Sequence, residues 1–192
     1  MVAVNFVKMV KIVLLMGVCG SGKSIVGRIL SEKVGWEFAD ADDFHPESNK
    51  QKMAQQIALT DQDRYGWLVS LHQKLQRWYD DNRNGILACS ALKQSYRKLL
   101  FTGLTLTPIN TDSTSTLSSC ITLVYLKGTR EIIAQRMMNR DHFMPVSLLD
   151  SQLETLEEPT PDEGVMVLTE DIRESVDCIV SHVINVLEVD EH

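Results

Sequence analysis

Short apolar runs alternate with helical patterns along almost all of this 192-residue chain. Runs of three to five mostly apolar residues, bounded by polar or glycine-containing segments, predict buried β-strands. Five such runs are Ile12 to Met16, Glu37 to Ala39, Ile86 to Cys89, Thr122 to Leu126 and Val165 to Leu168. Because helical patterns separate them, the sequence predicts an α/β fold with a parallel sheet covered by helices on both faces.

The segments between these runs carry apolar residues at helical spacing. The clearest set is Trp67, Leu71, Leu75 and Trp78. This spacing predicts a helix whose tryptophans belong to the core. Further helices are predicted over Ser90 to Leu100, ending near Gly103, and from Pro145 to Leu156. The segment Thr111 to Ser119, mostly Thr and Ser, predicts a solvated loop.

The segment after the first predicted strand has the form G-x-x-x-x-G-K-[ST], the Walker A or P-loop motif. Its residues are Gly17, Val18, Cys19, Gly20, Ser21, Gly22, Lys23 and Ser24. The glycines let successive N–H groups point at phosphate oxygens, and the following helix directs its positive dipole end there. Lys23 would reach the β- and γ-phosphates, and the Ser24 hydroxyl would bind a nucleotide-associated Mg²⁺. The alternative is a glycine-rich turn before an ordinary helix. Such a turn would not require an apolar strand before it and a helical pattern after it, and the presence of both favours a phosphate loop.

The candidate acidic residues of the site follow the second predicted strand and not the third. The third predicted strand continues into Ser90-Ala91-Leu92-Lys93 without the acid that often helps to hold Mg²⁺ in P-loop proteins. Asp40, Asp42 and Asp43 follow the second strand instead, at the sheet edge where α/β proteins bind ligands. One carboxylate would steady the metal, and another would orient an attacking hydroxyl and accept its proton. Turn and helix-capping roles are the alternative for each of these acids.

Basic residues with candidate roles form two groups along the chain. The first group is His45, Arg64, Lys93 and Arg97. Lys93 and Arg97 share one side of a predicted helix, and such donors suit an anionic or polyhydroxylated acceptor. The second group is Arg130, Arg136, Arg140 and His142. It predicts a mobile lid of about residues 128–160 that closes over the phosphates and excludes water. For individual Lys and Arg residues, a solvated surface charge is the alternative.

Composition excludes several other classes of protein. The 19 Lys and Arg residues against 26 Asp and Glu residues give a net charge of −7, so no basic field exists for nucleic acid. The four cysteines contain no C-x-x-C pair, which predicts reduced thiols in a cytoplasmic enzyme. No apolar run approaches the roughly 20 residues that cross a membrane. One domain over residues 1–192 is expected.

Several segments together closely resemble gluconokinases of the shikimate-kinase-like P-loop group. They are Asp40-Ala41-Asp42-Asp43-Phe44-His45-Pro46, Asn49, Lys52-Met53, Leu59-Thr60-Asp61-Gln62-Asp63-Arg64, Trp67-Leu68, Cys89-Ser90-Ala91-Leu92-Lys93, Tyr96-Arg97, His142-Phe143, Gln152, Glu154-Thr155-Leu156-Glu157 and Pro159. The resemblance implies a five-stranded sheet in nucleoside monophosphate kinase order, ATP and Mg²⁺ as cofactors, and phosphorylation of the D-gluconate 6-hydroxyl. The product, 6-phospho-D-gluconate, feeds the pentose phosphate pathway, and the family also suggests a homodimer.

The same resemblance implies roles for individual residues. Lys23, Asp42 and Arg140 would be catalytic, and Ser24 and Asp40 would hold the metal. The substrate-binding residues would be Asp42, His45, Arg64, Lys93, Arg97 and His142.

The chain departs from the family pattern in two loops and in the lid. Gln56-Ile57-Ala58 and Tyr65-Gly66 lack family prolines, and Arg140-Asp141-His142 is one residue shorter than the usual lid sequence and lacks its glycine. Two alternatives therefore remain open. One is a kinase for another polyol, acid or nucleotide, and the other is a catalytically impaired nucleotide-binding protein.

Overall fold

A computed structural model describes residues 10–55, 57–103, 117–138 and 146–190. All five predicted strands are present and form one sheet in the order β2-β3-β1-β4-β5, with parallel pairing throughout. The strands are β1 (Ile12–Met16), β2 (Glu37–Asp40), β3 (Gly85–Ala88), β4 (Ile121–Lys127) and β5 (Met166–Asp171). Because β1 lies at the centre, the loop that follows it opens in the middle of the carboxyl edge of the sheet.

Helices cover both faces of this sheet, as the alternating pattern predicts. They are α1 (Lys23–Val34), α2 (Glu47–Ala54), α3 (Asp61–Asp80), α4 (Gln94–Thr102), α5 (Arg130–Met138), α6 (Val146–Thr155) and α7 (Val176–Leu187). Buried residues of α3 and α4 form an apolar cluster on one face, and those of α1, α5, α6 and α7 form a second cluster on the other. The fold is the predicted α/β P-loop architecture.

Helix α3 is anchored to the sheet and to the turn that follows β2. It begins with a capping box, in which Thr60 and Asp63 each bond the other's backbone N–H. Near its other end the Trp78 ring lies against Gly85, where an added Cβ would approach the ring to 2.4 Å. Trp67 is 4% exposed, and its Nε1 donates to the carbonyl oxygen of Ala41 at 2.7 Å. Trp67 is therefore a core residue, as predicted, and it also anchors the 3-10 turn that follows β2.

Two element boundaries differ from the sequence prediction by more than one residue. Helix α4 begins at Gln94 and not at Ser90, because Ala91 adopts a positive φ of 46° and the chain makes a turn there. This turn lies beside the phosphate loop, since Gly17 donates to the Ser90 carbonyl at 3.4 Å. Strand β5 extends to Asp171, beyond the predicted end, because backbone pairing with β4 continues after the apolar run.

The predicted lid range, residues 128–160, includes α5 and α6, and both helices pack on the core. Ile133, Met137 and Leu149 are 2% exposed or less. The intervening residues 139–145, which include Arg140 and His142, lie outside the described part of the chain. Within the described ranges, no helix has the length and apolar character needed to cross a membrane. None of the four cysteines, all of which lie in the described ranges, forms a disulfide bond.

Candidate active site

The phosphate loop runs from the end of β1 to the start of α1. Gly22 precedes the helix in the left-handed conformation, with φ 102°, and it offers no side chain to bond the first helical N–H groups. Among the described residues, no other side chain caps this helix, and its first turn contains no acid. The positive end of the helix is therefore left to an external anion, which is how P-loop proteins hold phosphate.

The interior of the loop is tightly packed and contains a buried hydroxyl without a partner. A Cβ on Gly20 would lie 2.8 Å from Met137 of α5, so only glycine fits between the loop and that helix. Ser21 is 2% exposed, and its Oγ makes no hydrogen bond to any described residue. Buried polar atoms nearly always have partners, so this orphaned hydroxyl fits a site that a polar ligand completes.

Lys23 folds back over the loop. Its Nζ donates to the carbonyl oxygens of Gly17 at 2.8 Å and Val18 at 3.0 Å. Burial lowers the pKa of this ammonium group, although nearby negative groups, among them Asp42 and Asp40, oppose the shift. Two neutral carbonyls compensate poorly for the lost hydration of a cation, so a phosphate oxygen would be a stronger partner for Lys23.

Ser24 and Asp40, the two residues predicted to hold a metal, are in direct contact. The Ser24 hydroxyl donates to Asp40 Oδ2 at 2.7 Å, and the other oxygen of Asp40 accepts the N–H of Asp42 at 3.2 Å. A hydroxyl and a carboxylate are the hard oxygen ligands that Mg²⁺ prefers. Within the described ranges, no cluster of three or more His, Cys, Asp or Glu side chains can hold a metal alone. These residues therefore fit a metal that phosphate oxygens also coordinate.

Asp42 lies in the 3-10 turn directly beyond Asp40. Burial raises the pKa of its carboxyl group, the negative charge of Asp40 raises it further, and Lys23 opposes both effects. A carboxylate with a raised pKa is a better proton acceptor. Asp42 therefore has the electrostatic environment of a group that takes a proton from a reacting hydroxyl.

His45 is held as a neutral ring between α2 and α3. It stacks on Trp67 with a centroid distance of 4.3 Å and an interplanar angle of 14°, and it is only 8% exposed. Burial, followed by the charges of Arg64 and Lys50, lowers the pKa of His45 to about 4. The amide nitrogen of Asn49 lies 3.4 Å from His45 Nδ1, and since an amide nitrogen donates, we assign the ring proton to Nε2. His45 is thus a neutral donor at physiological pH.

Asn49 is a site residue to which the sequence analysis assigns no role. Its side chain is 2% exposed, and the same amide nitrogen also donates to the Asp63 carbonyl oxygen at 2.9 Å. It therefore joins His45 to the first turn of α3. The signal in the sequence is its presence in the family pattern between His45-Pro46 and Lys52-Met53.

The predicted acceptor cations Arg64 and Lys93 both lie near the start of α3. Lys93 Nζ donates to the two carboxylate oxygens of Asp61 at 2.9 and 2.8 Å, and the Tyr96 hydroxyl donates to the same carboxylate. The hydrogen bonds from Lys93 and Tyr96 lower the pKa of Asp61. Arg64 donates to the carbonyl oxygen of Leu59 at 2.5 Å. Asp61 and Tyr96 were not among the predicted site residues, although both lie in the family pattern.

Arg97 lies in a buried environment that its predicted substrate-binding role did not anticipate, and that role stays a prediction. The side chain is fully buried and forms a salt bridge with Glu163, whose side chain is 2% exposed. Its Nη1 donates to three backbone carbonyl oxygens, those of Ala91, Leu92 and Glu157, at 3.1, 3.2 and 2.9 Å. With these partners the guanidinium joins α4 to the segment after α6.

Comparisons with known proteins show which family the whole chain resembles. Residues 19–187 match the family model for shikimate kinase. A probable gluconokinase from Xenopus tropicalis is 45% identical over 174 residues, which are 90% of each chain. The thermosensitive gluconokinase from Escherichia coli K12 is 40% identical over 80% of this chain and 75% of its own length. A crystal structure of a gluconokinase from Sinorhizobium meliloti 1021 superposes with a TM-score of 0.75, at 35% identity over 93% of this chain and 91% of that chain.

The chain belongs to the gluconokinase family. This membership confirms the resemblance in the sequence, and it identifies the chain as a P-loop kinase. Family membership does not by itself assign roles to side chains. The roles given to individual site residues remain predictions that rest on the geometry described above.

The arginines of the predicted lid differ in their distance from the phosphate loop. Arg136 donates to the Ile172 carbonyl oxygen, and its Nη1 lies 3.8 Å from the position that a Cβ on Gly22 would take. Arg130 instead forms a surface salt bridge with Asp150, at 2.6 and 3.0 Å. Arg140 and His142 lie outside the described residues, so their predicted catalytic and substrate-binding roles remain predictions.

Proposed function

We propose that the protein transfers the γ-phosphoryl group of ATP to the 6-hydroxyl of D-gluconate, giving 6-phospho-D-gluconate and ADP. Membership of the gluconokinase family supports this reaction. The observation that carries it is the 2.7 Å hydrogen bond between Ser24 and Asp40. This bond ties the strand end that bears Asp42 to the phosphate loop, so that an acceptor held near Asp42 lies beside the triphosphate.

On the nucleotide side, backbone N–H groups of the loop and the start of α1 bind the β- and γ-phosphates. Lys23 exchanges its contacts with the Gly17 and Val18 carbonyls for phosphate oxygens and stabilises the charge on the transferring group. Ser24 and Asp40 would hold a Mg²⁺, which when bound neutralises negative charge between the β- and γ-phosphates.

On the acceptor side, Asp42 accepts a hydrogen bond from the gluconate 6-hydroxyl. This bond directs the hydroxyl oxygen at the γ-phosphorus. A bond forms between that oxygen and phosphorus while the bond from phosphorus to the β-phosphate oxygen breaks and ADP leaves. The hydroxyl proton passes to Asp42, whose raised pKa suits it to accept. Positioning of the hydroxyl supplies most of the rate, because proton uptake is late in phosphoryl transfer.

Gluconate combines hydroxyl groups with a carboxylate, and the acceptor side offers donors for both. Neutral His45 donates from Nε2 to a hydroxyl, and Arg64 and Lys93 supply positive charge for the carboxylate. Lys93 already binds the Asp61 carboxylate through both oxygens, which is the same kind of contact that a substrate carboxylate would make. In this proposal Arg140 and His142 act from the lid segment, as the family resemblance implies.

A coupled assay of ADP formation tests the proposal. ADP should form rapidly with ATP, Mg²⁺ and D-gluconate, and only slowly when gluconate is omitted. A parallel panel of shikimate, other polyols, other sugar acids and nucleoside monophosphates identifies the preferred acceptor. Faster transfer to another acceptor would overturn the gluconate assignment. ATP binding without any acceptor-stimulated ADP release would instead favour a catalytically impaired nucleotide-binding protein.

A further inference from the structure

The side chain of Gln152, on helix α6, forms a hydrogen bond with the phosphate loop. The backbone N–H of Cys19 donates to Gln152 Oε1 at 2.6 Å, across 133 positions in the chain. Cys19 is the third residue of the phosphate-binding motif. A peptide in the loop that must present its amides to phosphate is thus held by a side chain from another element.

The core fixes the position of Gln152. Leu149, one turn earlier in α6, is fully buried, and Leu153 packs against the same apolar cluster. This cluster also contains residues of α1 and α5, and Cys19 itself packs against it. Gln152 therefore stands on a helix that cannot shift without disturbing the core beneath the loop.

The chemistry of this contact favours a neutral acceptor. A backbone N–H only donates, so the carboxamide oxygen must face the loop. A carboxylate would also accept this hydrogen bond, but it would place a negative charge against a loop that receives a triphosphate. Lys23 of the loop is electrostatically coupled to Asp42 and Asp40, and a further anion beside the loop would compete with phosphate for this lysine. An apolar side chain would avoid the charge but leave the N–H unbonded.

We propose that Gln152 is a positioning residue: its neutral carboxamide fixes the Cys19 peptide and thereby preorganises the phosphate loop for the phosphates of ATP. This inference rests on the proposed function only in taking ATP as the ligand of the loop. It does not depend on which acceptor is phosphorylated.

Two variants of similar size separate positioning by a neutral acceptor from simple packing. Gln152→Glu keeps the hydrogen bond and adds a charge, whereas Gln152→Met removes the hydrogen bond and adds none. Ser151→Glu, on an exposed position of the same helix, is the matched control for charge. Each full-length protein is titrated with ATP and with ADP in the presence of Mg²⁺ by isothermal titration calorimetry, and its thermal midpoint is measured.

The expected order of ATP affinity is wild type, then Gln152→Met, then Gln152→Glu. We expect a loss of about threefold for Gln152→Met and of about tenfold or more for Gln152→Glu, with a smaller loss for ADP because it carries less charge. Ser151→Glu should stay within about twofold of wild type, since its charge is exposed to solvent. The thermal midpoint of Gln152→Glu should be close to that of wild type.

A purely structural role predicts the reverse order, because Gln152→Glu retains the bond that Gln152→Met loses. That reverse order, or equal losses for ATP and ADP, would overturn the inference. A wild-type protein that fails to bind ATP would overturn the proposed function and the inference together. A wild-type protein that binds ATP and phosphorylates gluconate, with unaltered ATP binding in both Gln152 variants, would overturn the inference alone.

Discussion

The two halves of the proposed site are built differently. On the nucleotide side, the phosphate loop acts mainly through its backbone, and its conformation follows from glycines and from the start of α1. On the acceptor side, recognition depends on side chains, and several of these already have protein partners. Lys93 binds Asp61, Arg64 binds the Leu59 carbonyl, and Arg97 is fully engaged with Glu163 and three carbonyl oxygens.

This difference shows why a motif and a group of cations are not equally informative. A backbone motif specifies its own geometry, because only one local conformation suits that pattern of glycines. A basic side chain specifies only its charge, and tertiary packing decides whether that charge meets a ligand or a buried carboxylate. The predictions below test whether the nucleotide and acceptor sides can be separated by mutation.

The largest effect is expected on the nucleotide side, at Lys23. Lys23→Ala should lower kcat by a factor of about a thousand or more, because the ammonium stabilises charge on the transferring phosphoryl group. The coupled ADP assay measures kcat, and circular dichroism checks that the variant folds. Lys23→Met, which retains most of the side-chain length, serves as the matched control for lost charge. Wild-type turnover in either variant would contradict the role of Lys23.

The next effect concerns stability. Arg97→Met should lower the free energy of unfolding by about 3 kcal/mol, because it leaves Glu163 as an uncompensated buried charge. Urea unfolding measures this loss, and Arg97→Met combined with Glu163→Met should recover part of it. At a temperature where Arg97→Met remains folded, its KM for gluconate should stay within about threefold of wild type. A tenfold rise in this KM without a loss of stability would support the substrate-binding role of Arg97.

Asp42→Asn should separate catalysis from stability. The variant should lose about a hundredfold in kcat while its KM for ATP changes little, since the carboxylate acts on the acceptor hydroxyl. The raised pKa of Asp42 means that its charge is unfavourable in the folded state at neutral pH. The amide should therefore unfold at an equal or higher temperature, as measured by scanning calorimetry. A matched loss of ATP affinity would indicate a metal-binding role instead.

The sequence predicted elements best where apolar burial and local backbone geometry agree. Strand β1 has the predicted bounds, and the α3 tryptophans are buried as their spacing indicates. The two boundaries that were wrong by more than one residue were wrong for opposite reasons. Helix α4 begins later than predicted because Ala91 adopts a positive φ, which is unusual for alanine and cannot be predicted from its side chain. Strand β5 ends later than predicted because its polar end is held by backbone pairing with β4, which a hydrophobic pattern does not reveal.

Within the site, the sequence analysis assigned Ser24 and Asp40 to one metal, and the structure places them in direct contact because the carboxyl edge of the sheet brings them together. The buried environment of Arg97 was not predicted. Its spacing from Lys93 places the two residues on one side of α4, but spacing does not show that Arg97 lies over the buried carboxylate of Glu163, 66 positions away. Asn49 and Gln152 were missed as functional candidates because each acts through another group, His45 in one case and the Cys19 peptide in the other.

The smallest effect is expected from protonation of His45 on the acceptor side. Its folded-state pKa of about 4 lies below the ordinary value of 6.5, so the unfolded chain takes up a proton first as the pH falls. The contribution of His45 to folding stability is therefore full above pH of about 6.5 and declines toward pH of about 4. Between pH 7 and pH 5 the wild type should lose about 2 kcal/mol relative to His45→Gln.

Urea unfolding of both proteins at pH 7, 6 and 5 measures this difference. His182→Gln, at an exposed histidine of α7, is the matched control and should not remove the loss on acidification. If the wild type and His45→Gln respond equally to pH, then folding does not lower the pKa of His45 from its ordinary value of 6.5. The ring would then become an imidazolium below pH of about 6.5 in the folded protein as well, and the neutral Nε2 donor proposed for the substrate would be lost at mildly acidic pH.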